Sequence, residues 1–441
     1  MQEICECVTQ TELLEETLDL WRESSCRFPP LGRQYSTADQ LEREELFDEC
    51  LQIIQSESCQ ILETESKRKT ARERVAGALA KLGTCAIDLE DPCVEHLLSN
   101  NFASVGSDLS RWARDLDPLV TAADIFQACR NAWTAGGMQL LLGRAIQLTP
   151  AIFGYSMLYP YSDNFMDDIA VSPVEKLAFS RRFRMRLAGC FLEPANRLET
   201  VVWQLVALIE FQYPRKQYPE VYSSLLAIHH AQEKSMAQLQ QNGSLPEQID
   251  VLTLSFTKGG TSVLADAYLA AGTLTPAQVR FAFQWGVLLQ LGDDLQDLRQ
   301  DLACGSITLF TQAARRQPLD TLTNRTLQLA QHVMTRMDDL GAPLIIKQLL
   351  QRSSRSLLIR AAAAAREFYS KEYLAELETY SPVRFAFLAS RQQQFDRRRS
   401  WFAKAFESLV LQEDSSTATA AVSRPHVPDA SSLSSITCVV K

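Results

Sequence analysis

Gln290-Leu291-Gly292-Asp293-Asp294-Leu295-Gln296-Asp297-Leu298-Arg299-Gln300-Asp301 is the stretch from which the rest of the chain can be read. Residues four apart stack on an α-helix, so Asp293, Asp297 and Asp301 form a column and Asp294 turns about 100° away from it. Leu291, Leu295, Leu298 and Leu302 take the opposite side. The preceding run from Phe281 to Leu291 is apolar nearly all round, which is the pattern of a buried helix. Thr275-Pro276, with Gln278 three places after the Thr, supplies its start, and Gly305 supplies its end. Stacked acids near a helix C-terminus repel one another and oppose the macrodipole, so a positive partner is expected beside them.

The same punctuation recurs along the chain. Asp91-Pro92, Asp117-Pro118, Thr149-Pro150 and Ser172-Pro173 each place a capping residue before a Pro suited to the first helical turn, and Ser172 is followed by Glu175 at capping-box distance. Alternating β-branched segments are almost absent, and 17 Gly with 17 Pro is sparse for 441 residues. These features predict an all-α bundle. Three parts are expected: a helical extension over 1–118, a helical core domain over 119–411, and a tail over 412–441 too polar to fold.

Composition narrows the function classes. With 53 Asp+Glu against 44 Lys+Arg the net charge is −9, which argues against a surface that grips nucleic acid. The 11 cysteines are odd in number and include no Cys-x-x-Cys pair, so a disulfide framework or zinc site is not favoured and a reducing cytoplasm fits. No apolar run reaches membrane-spanning length. The five histidines offer no catalytic pairing beyond His229-His230, whose side chains point about 100° apart on a helix.

A second acidic cluster, Asp163-Asn164-Phe165-Met166-Asp167-Asp168, follows the apolar run AIFGYSMLYPY. Asp163 and Asp167 share a helical face, with Asp168 beside them. Two carboxylate groups behind apolar helices, opposed across a bundle, suit Mg²⁺, a hard ion that takes oxygen ligands and completes its shell with water and substrate phosphate. Mn²⁺ is the alternative ion.

The run Gly286-x-x-x-Gln290-x-x-Asp293-Asp294-x-x-Asp297-x-x-x-Asp301-x-x-x-Gly305 resembles the second aspartate-rich motif of trans-polyprenyl diphosphate synthases, in the class I isoprenoid synthase superfamily. Asp163-x-x-x-Asp167-Asp168 is similar instead to the first motif of squalene and phytoene synthases. The resemblance covers roughly residues 130–310. It implies a helical bundle around a central apolar cavity, with Mg²⁺ held on an isoprenyl diphosphate by Asp163, Asp167, Asp168, Asp293, Asp294, Asp297 and Asp301.

Phe256-Thr257-Lys258-Gly259-Gly260-Thr261 looks like the diphosphate-contacting Lys-Thr segment of the polyprenyl synthases, its Gly pair letting the backbone approach an anion; a helix break with a solvent lysine is the other reading. Gln290, Arg181 and Arg182 are the remaining diphosphate candidates, and Arg384, Arg391 and Arg398 recur at heptad spacing, either closing over the site or facing solvent. Ser306 departs from the family, which has Lys after the corresponding Gly. The expected activity is ionisation of an allylic diphosphate, catalysed by Asp163, Asp167, Asp293, Asp294 and Asp297, followed by prenyl transfer. A terpene cyclase is the alternative, and a silent scaffold the third reading. The resemblance is compatible with a homodimer and with peripheral membrane contact through an apolar product.

Overall fold

The computed structural model describes residues 8–58, 65–88, 102–168, 170–235 and 250–397. These are helical, with no β-strand among them. In chain order they give α1 (Gln10–Glu23), α2 (Thr37–Ser58), α3 (Glu65–Ile87), α4 (Phe102–Leu116), α5 (Ala122–Leu141) and α6 (Pro150–Leu158). A π-turn (Tyr159–Asp163) then leads into the one-turn α7 (Asn164–Asp167), followed by α8 (Pro173–Leu187), α9 (Arg197–Gln212) and α10 (Pro219–Ser235). The chain continues through α11 (Val251–Ala271), α12 (Pro276–Gln296), α13 (Leu298–Cys304), α14 (Leu309–Ala314), α15 (Asp320–Thr335), α16 (Leu344–Ala364), α17 (Lys371–Glu378) and α18 (Phe385–Arg397). Among the described residues no helix is long and apolar enough to cross a membrane.

Three of the expected caps start helices as read. Thr149 accepts from the Ile152 N–H at 3.2 Å, and Ser172 with Glu175 and Thr275 with Gln278 form reciprocal capping boxes. Asp117-Pro118 does not start a helix. Asp117 ends α4, and the next helix begins at Ala122 under a Thr121–Asp124 capping box, because Asp117 spends its carboxylate on Tyr161, Arg197 and the Leu119 N–H. Asp91-Pro92 and the tail over 412–441 lie outside the described residues.

α11 and α12 form an antiparallel pair at the centre, flanked by α5 and α10 on one helix and α16 on the other. Both are apolar on most faces, which their burial explains: Phe256, Phe281 and Phe283 have no exposed surface. α1 lies over this pair and α15, its Trp21 meeting Phe256 edge-on at 5.8 Å and its Glu16 pairing with Arg280 at 3.0 Å. One continuous buried cluster therefore runs from Leu13 to Phe385, across the expected boundary at 118.

The segment before and within α2 is held by the far end of the chain. The Tyr35 N–H donates to Thr379 at 2.7 Å, Gln40 donates to the Glu378 and Ser381 carbonyls, and Arg384 and Arg391 pair with Glu44 and Asp48. Two of the heptad-spaced arginines thus bind α2; Arg398 lies outside the described residues.

Candidate functional site

The site begins with the absence of side chains. A Cβ on Gly286 would lie 2.2 Å from the Gly259 carbonyl oxygen, and one on Gly259 would lie 2.4 Å from Gln290 Cβ, so only glycine lets α11 and α12 approach this closely. A Cβ on Gly260 would meet the Phe283 ring at 2.5 Å. The Gly pair therefore does not break the helix: it sits within α11 and serves helix packing. This contact brings the Lys258 charge within electrostatic reach of α12 and α13, where it favours ionisation of Asp294 and Asp301.

Asp294, 6 % exposed, is the best-held acid. Gln290 Nε2 donates to its Oδ1 at 2.7 Å and Ser255 Oγ to its Oδ2 at 2.9 Å. Burial nevertheless pushes its carboxyl up to about 6, because those two donors and Lys258 only partly offset desolvation.

The expected single helix through the acids is interrupted. α12 ends at Gln296, Asp297 caps it with φ −92° and ψ 7°, and α13 restarts at Leu298. The four-residue stacking survives, since the Asp297 N–H donates to the Asp293 carbonyl at 2.8 Å and the Asp301 N–H to that of Asp297 at 2.9 Å. Gly305, in the left-handed region at φ +74°, closes α13, and the Ser306 N–H donates to the Asp301 carbonyl at 2.8 Å.

The column carries its predicted electrostatic load. Burial and then Asp293 raise the Asp297 carboxyl; burial, Asp297 and Asp293 raise Asp301 to about 6. Besides Lys258, the positive partner is Arg130 of α5, whose Nη2 lies 3.8 Å from Asp293 Oδ1 and which also favours ionised Asp297. Arg130 carries no pattern in the sequence that would have marked it.

The first cluster sits where a π-turn passes into the one-turn α7, with Asp163 still in helical backbone geometry. Pro160 removes a backbone N–H and the chain passes through a π-turn before α7. Asp163 closes that turn, accepting from Gln232 Nε2 at 3.0 Å, with Ser162 Oγ 3.0 Å from its other oxygen. Asp168 is exposed and folds back to accept from the Ala170 N–H at 2.8 Å. The Asp167 side chain lies outside what is described.

Asp163 stands at a small cleft lined by Tyr155, Leu158, Tyr159, Phe183, Leu225 and Ile228, among others. A central apolar cavity of the kind the resemblance implies is not shown. The two acidic groups are connected through α11. Asp163 disfavours ionisation of Tyr159, whose hydroxyl is 2.9 Å from Ser262 Oγ, one turn from Lys258. Two turns along from Lys258 lies Asp266, 1 % exposed and held by Asn131 Nδ2 at 3.1 Å; burial raises its pKa well above the ordinary carboxylate value. Its signal in the sequence was a lone acid in the apolar run LADAYLAAG.

The arginines of α8 mostly serve packing. Arg182 grips the buried Glu199 at 2.7 Å through Nε and Nη2, Arg186 grips Glu210, and Arg184 lies 3.5 Å from Glu233. Arg181 is exposed. His229 is buried with Nε2 3.1 Å from the Ser180 carbonyl, while Ser180 Oγ donates to Glu233 rather than to the imidazole, so these three do not form a nucleophilic triad.

Stacked carboxylates of like charge are a donor set that a hard divalent cation would satisfy, and Asp293, Asp297 and Asp301 fit that chemistry, with Asp297 and Asp301 raised by burial and by their acidic neighbours. Among the described residues no three acids already converge into a cage. Compared with protein-family models, with curated proteins and with solved structures, the chain matches none.

Proposed function

We propose that this chain is a Mg²⁺-dependent class I isoprenoid synthase that ionises an allylic isoprenyl diphosphate and transfers the prenyl group. The observation that carries this reading is the column of Asp293, Asp297 and Asp301 set beside Lys258 across the α11–α12 contact. Carboxylates and a lysine at one helix end suit a ligand that is itself an anion bound through cations.

A bound divalent ion would supply electrophilic stabilisation of charge on the departing diphosphate. Asp293, Asp297 and Asp301 would hold it, with Asp163 contributing from the cleft side; Asp294, fixed by Gln290 and Ser255, orients the helix end. Lys258 would donate to diphosphate oxygens. Tyr155, Tyr159 and Phe183 along the cleft would shield a carbocation from water and offer ring faces to it.

Incubation of the purified protein with Mg²⁺ and C10, C15 or C20 diphosphates, with and without isopentenyl diphosphate, tests the reading. Products carrying an added five-carbon unit or a second prenyl chain are expected. Asp297→Asn should lower kcat/KM for diphosphate release by about 100-fold or more with the helical circular dichroism unchanged. Turnover equal to the unsubstituted protein would remove the column from the mechanism.

Cyclisation is the second reading, favoured by Ser306, which binds back to Asp301 through its N–H and offers no cationic side chain for diphosphate. Products without an added prenyl unit would select it. Absence of turnover together with absence of calorimetric diphosphate–Mg²⁺ binding would select a scaffold.

A further inference from the structure

A second, small and partly open cavity lies where the segment before α2, the end of α3, α16 and the turn after α17 meet. Among the described residues its charged lining is three arginines to one acid. Arg352, Arg355 and Arg360 project from α16, while Arg33 and Arg43 stack on the Tyr35 ring at 4.8 and 5.0 Å. Asp88 is the lining acid among the described residues, and it is already surrounded by Arg43 at 3.1 Å, Arg33 at 3.7 Å and Arg352 at 3.8 Å.

Two of the lining arginines lack a carboxylate. Arg355 reaches the Leu31 carbonyl at 2.5 Å but makes no ion pair among the described residues, and Arg360 makes none either. Burial lowers Arg355 below the usual guanidinium value, partly offset by Tyr35 and Asp88 and reinforced by the Arg352 charge, while Arg360, lowered by burial of its guanidinium side, keeps an exposed surface from which a ligand can be reached.

Two lining hydroxyls are also unsatisfied. Tyr35 Oη and Ser356 Oγ are buried without a hydrogen-bond partner, on residues 5 % and 8 % exposed. Burial and then the nearby Asp88 carboxylate, which lies at the edge of hydrogen-bonding geometry to Tyr35 Oη, raise the Tyr35 pKa. A buried hydroxyl left unpaired forgoes the hydrogen bonds it made to water in the unfolded chain. A ligand made only of acceptors and carrying negative charge would answer all four groups at once, and the arginine fork matches phosphate oxygens.

We propose that Tyr35, Ser356, Arg355 and Arg360 form a binding site for a phosphate-class oxyanion, separate from the acidic site of α12 and α13. The same chemistry is carried by free phosphate, by soluble phosphate monoesters and by a phosphatidic acid headgroup.

Isothermal titration of the full-length protein with inorganic phosphate, against chloride at equal ionic strength, tests it, alongside sedimentation with phosphatidylcholine vesicles with and without phosphatidic acid. Saturable phosphate binding, weakened about tenfold or more by Arg360→Gln, supports the free-anion source. Sedimentation that requires phosphatidic acid and is lost in Arg360→Gln supports the headgroup source. Ser356→Ala supplies a control for folding, since it deletes an unpaired hydroxyl: the thermal midpoint without phosphate should hold or rise while the phosphate-dependent gain shrinks. Heat no different from chloride and no vesicle dependence would overturn the proposal, as would binding unchanged in both variants. Asp293→Asn should leave phosphate binding intact.

Discussion

Asp266 shows how one side chain can set a pH dependence far from any surface. Burial holds its carboxyl well above the ordinary value, so the folded protein keeps a proton that the unfolded chain releases above about pH 4. Stability from this group is therefore largest at acid pH and declines as pH rises toward the folded pKa. Asp266→Asn removes the titration while its amide oxygen can still accept from Asn131. At pH 8 the variant should exceed the unsubstituted protein in urea denaturation, with the gap narrowing as the pH falls toward the ordinary carboxylate range. A less stable variant at pH 8 would mean that the ionised carboxylate is the form the fold uses. Asp293, Asp297 and Asp301 were legible because they are spaced at a helical period; Asp266 and Arg130 were not, because each acquires its meaning only from a helix distant in sequence.

The capping signals at Thr149, Ser172 and Thr275 were equally legible, since a cap is settled within four residues of chain. What failed at this scale were features decided by neighbours. Gly259-Gly260 was indistinguishable from a break until α12 was seen against it, and the π-turn at Pro160, just ahead of the Asp163 cluster, had no local signal that set it apart from an ordinary helical turn. The α11–α12 approach makes a sharp prediction. In Gly286→Ala the added methyl meets a backbone carbonyl, which cannot swing aside as a side-chain end can. Destabilisation by about 3 kcal/mol is expected in chemical denaturation, with product formation falling further than stability because Lys258 is moved from Asp294 and Asp301. Unchanged stability would mean that the helices are spaced more widely than described here.

Across the whole molecule, the buried cluster continues through the expected boundary at 118, because Trp21 and Leu13 of α1 join the core built on α11 and α12. A sequence shows that a helix has an apolar stripe but not which distant helix covers it. Trp21→Ala should therefore cost about 3–5 kcal/mol in chemical denaturation and disturb residues near Phe256, rather than loosening an appendage. Retained stability would mark α1 as dispensable to the core. The clasp of α2 by Thr379, Glu378, Ser381, Arg384 and Arg391 has a consequence for synthesis. Glu44 and the Arg384 that grips it are 340 residues apart, so at about 5–20 residues per second a ribosome spends roughly 20–70 s between making the one and making the other. Stalled nascent chains ending before Thr379 should thus be cut by protease within 33–58, and chains released beyond Arg391 protected there: α2 waits on a partner made more than 300 residues after it.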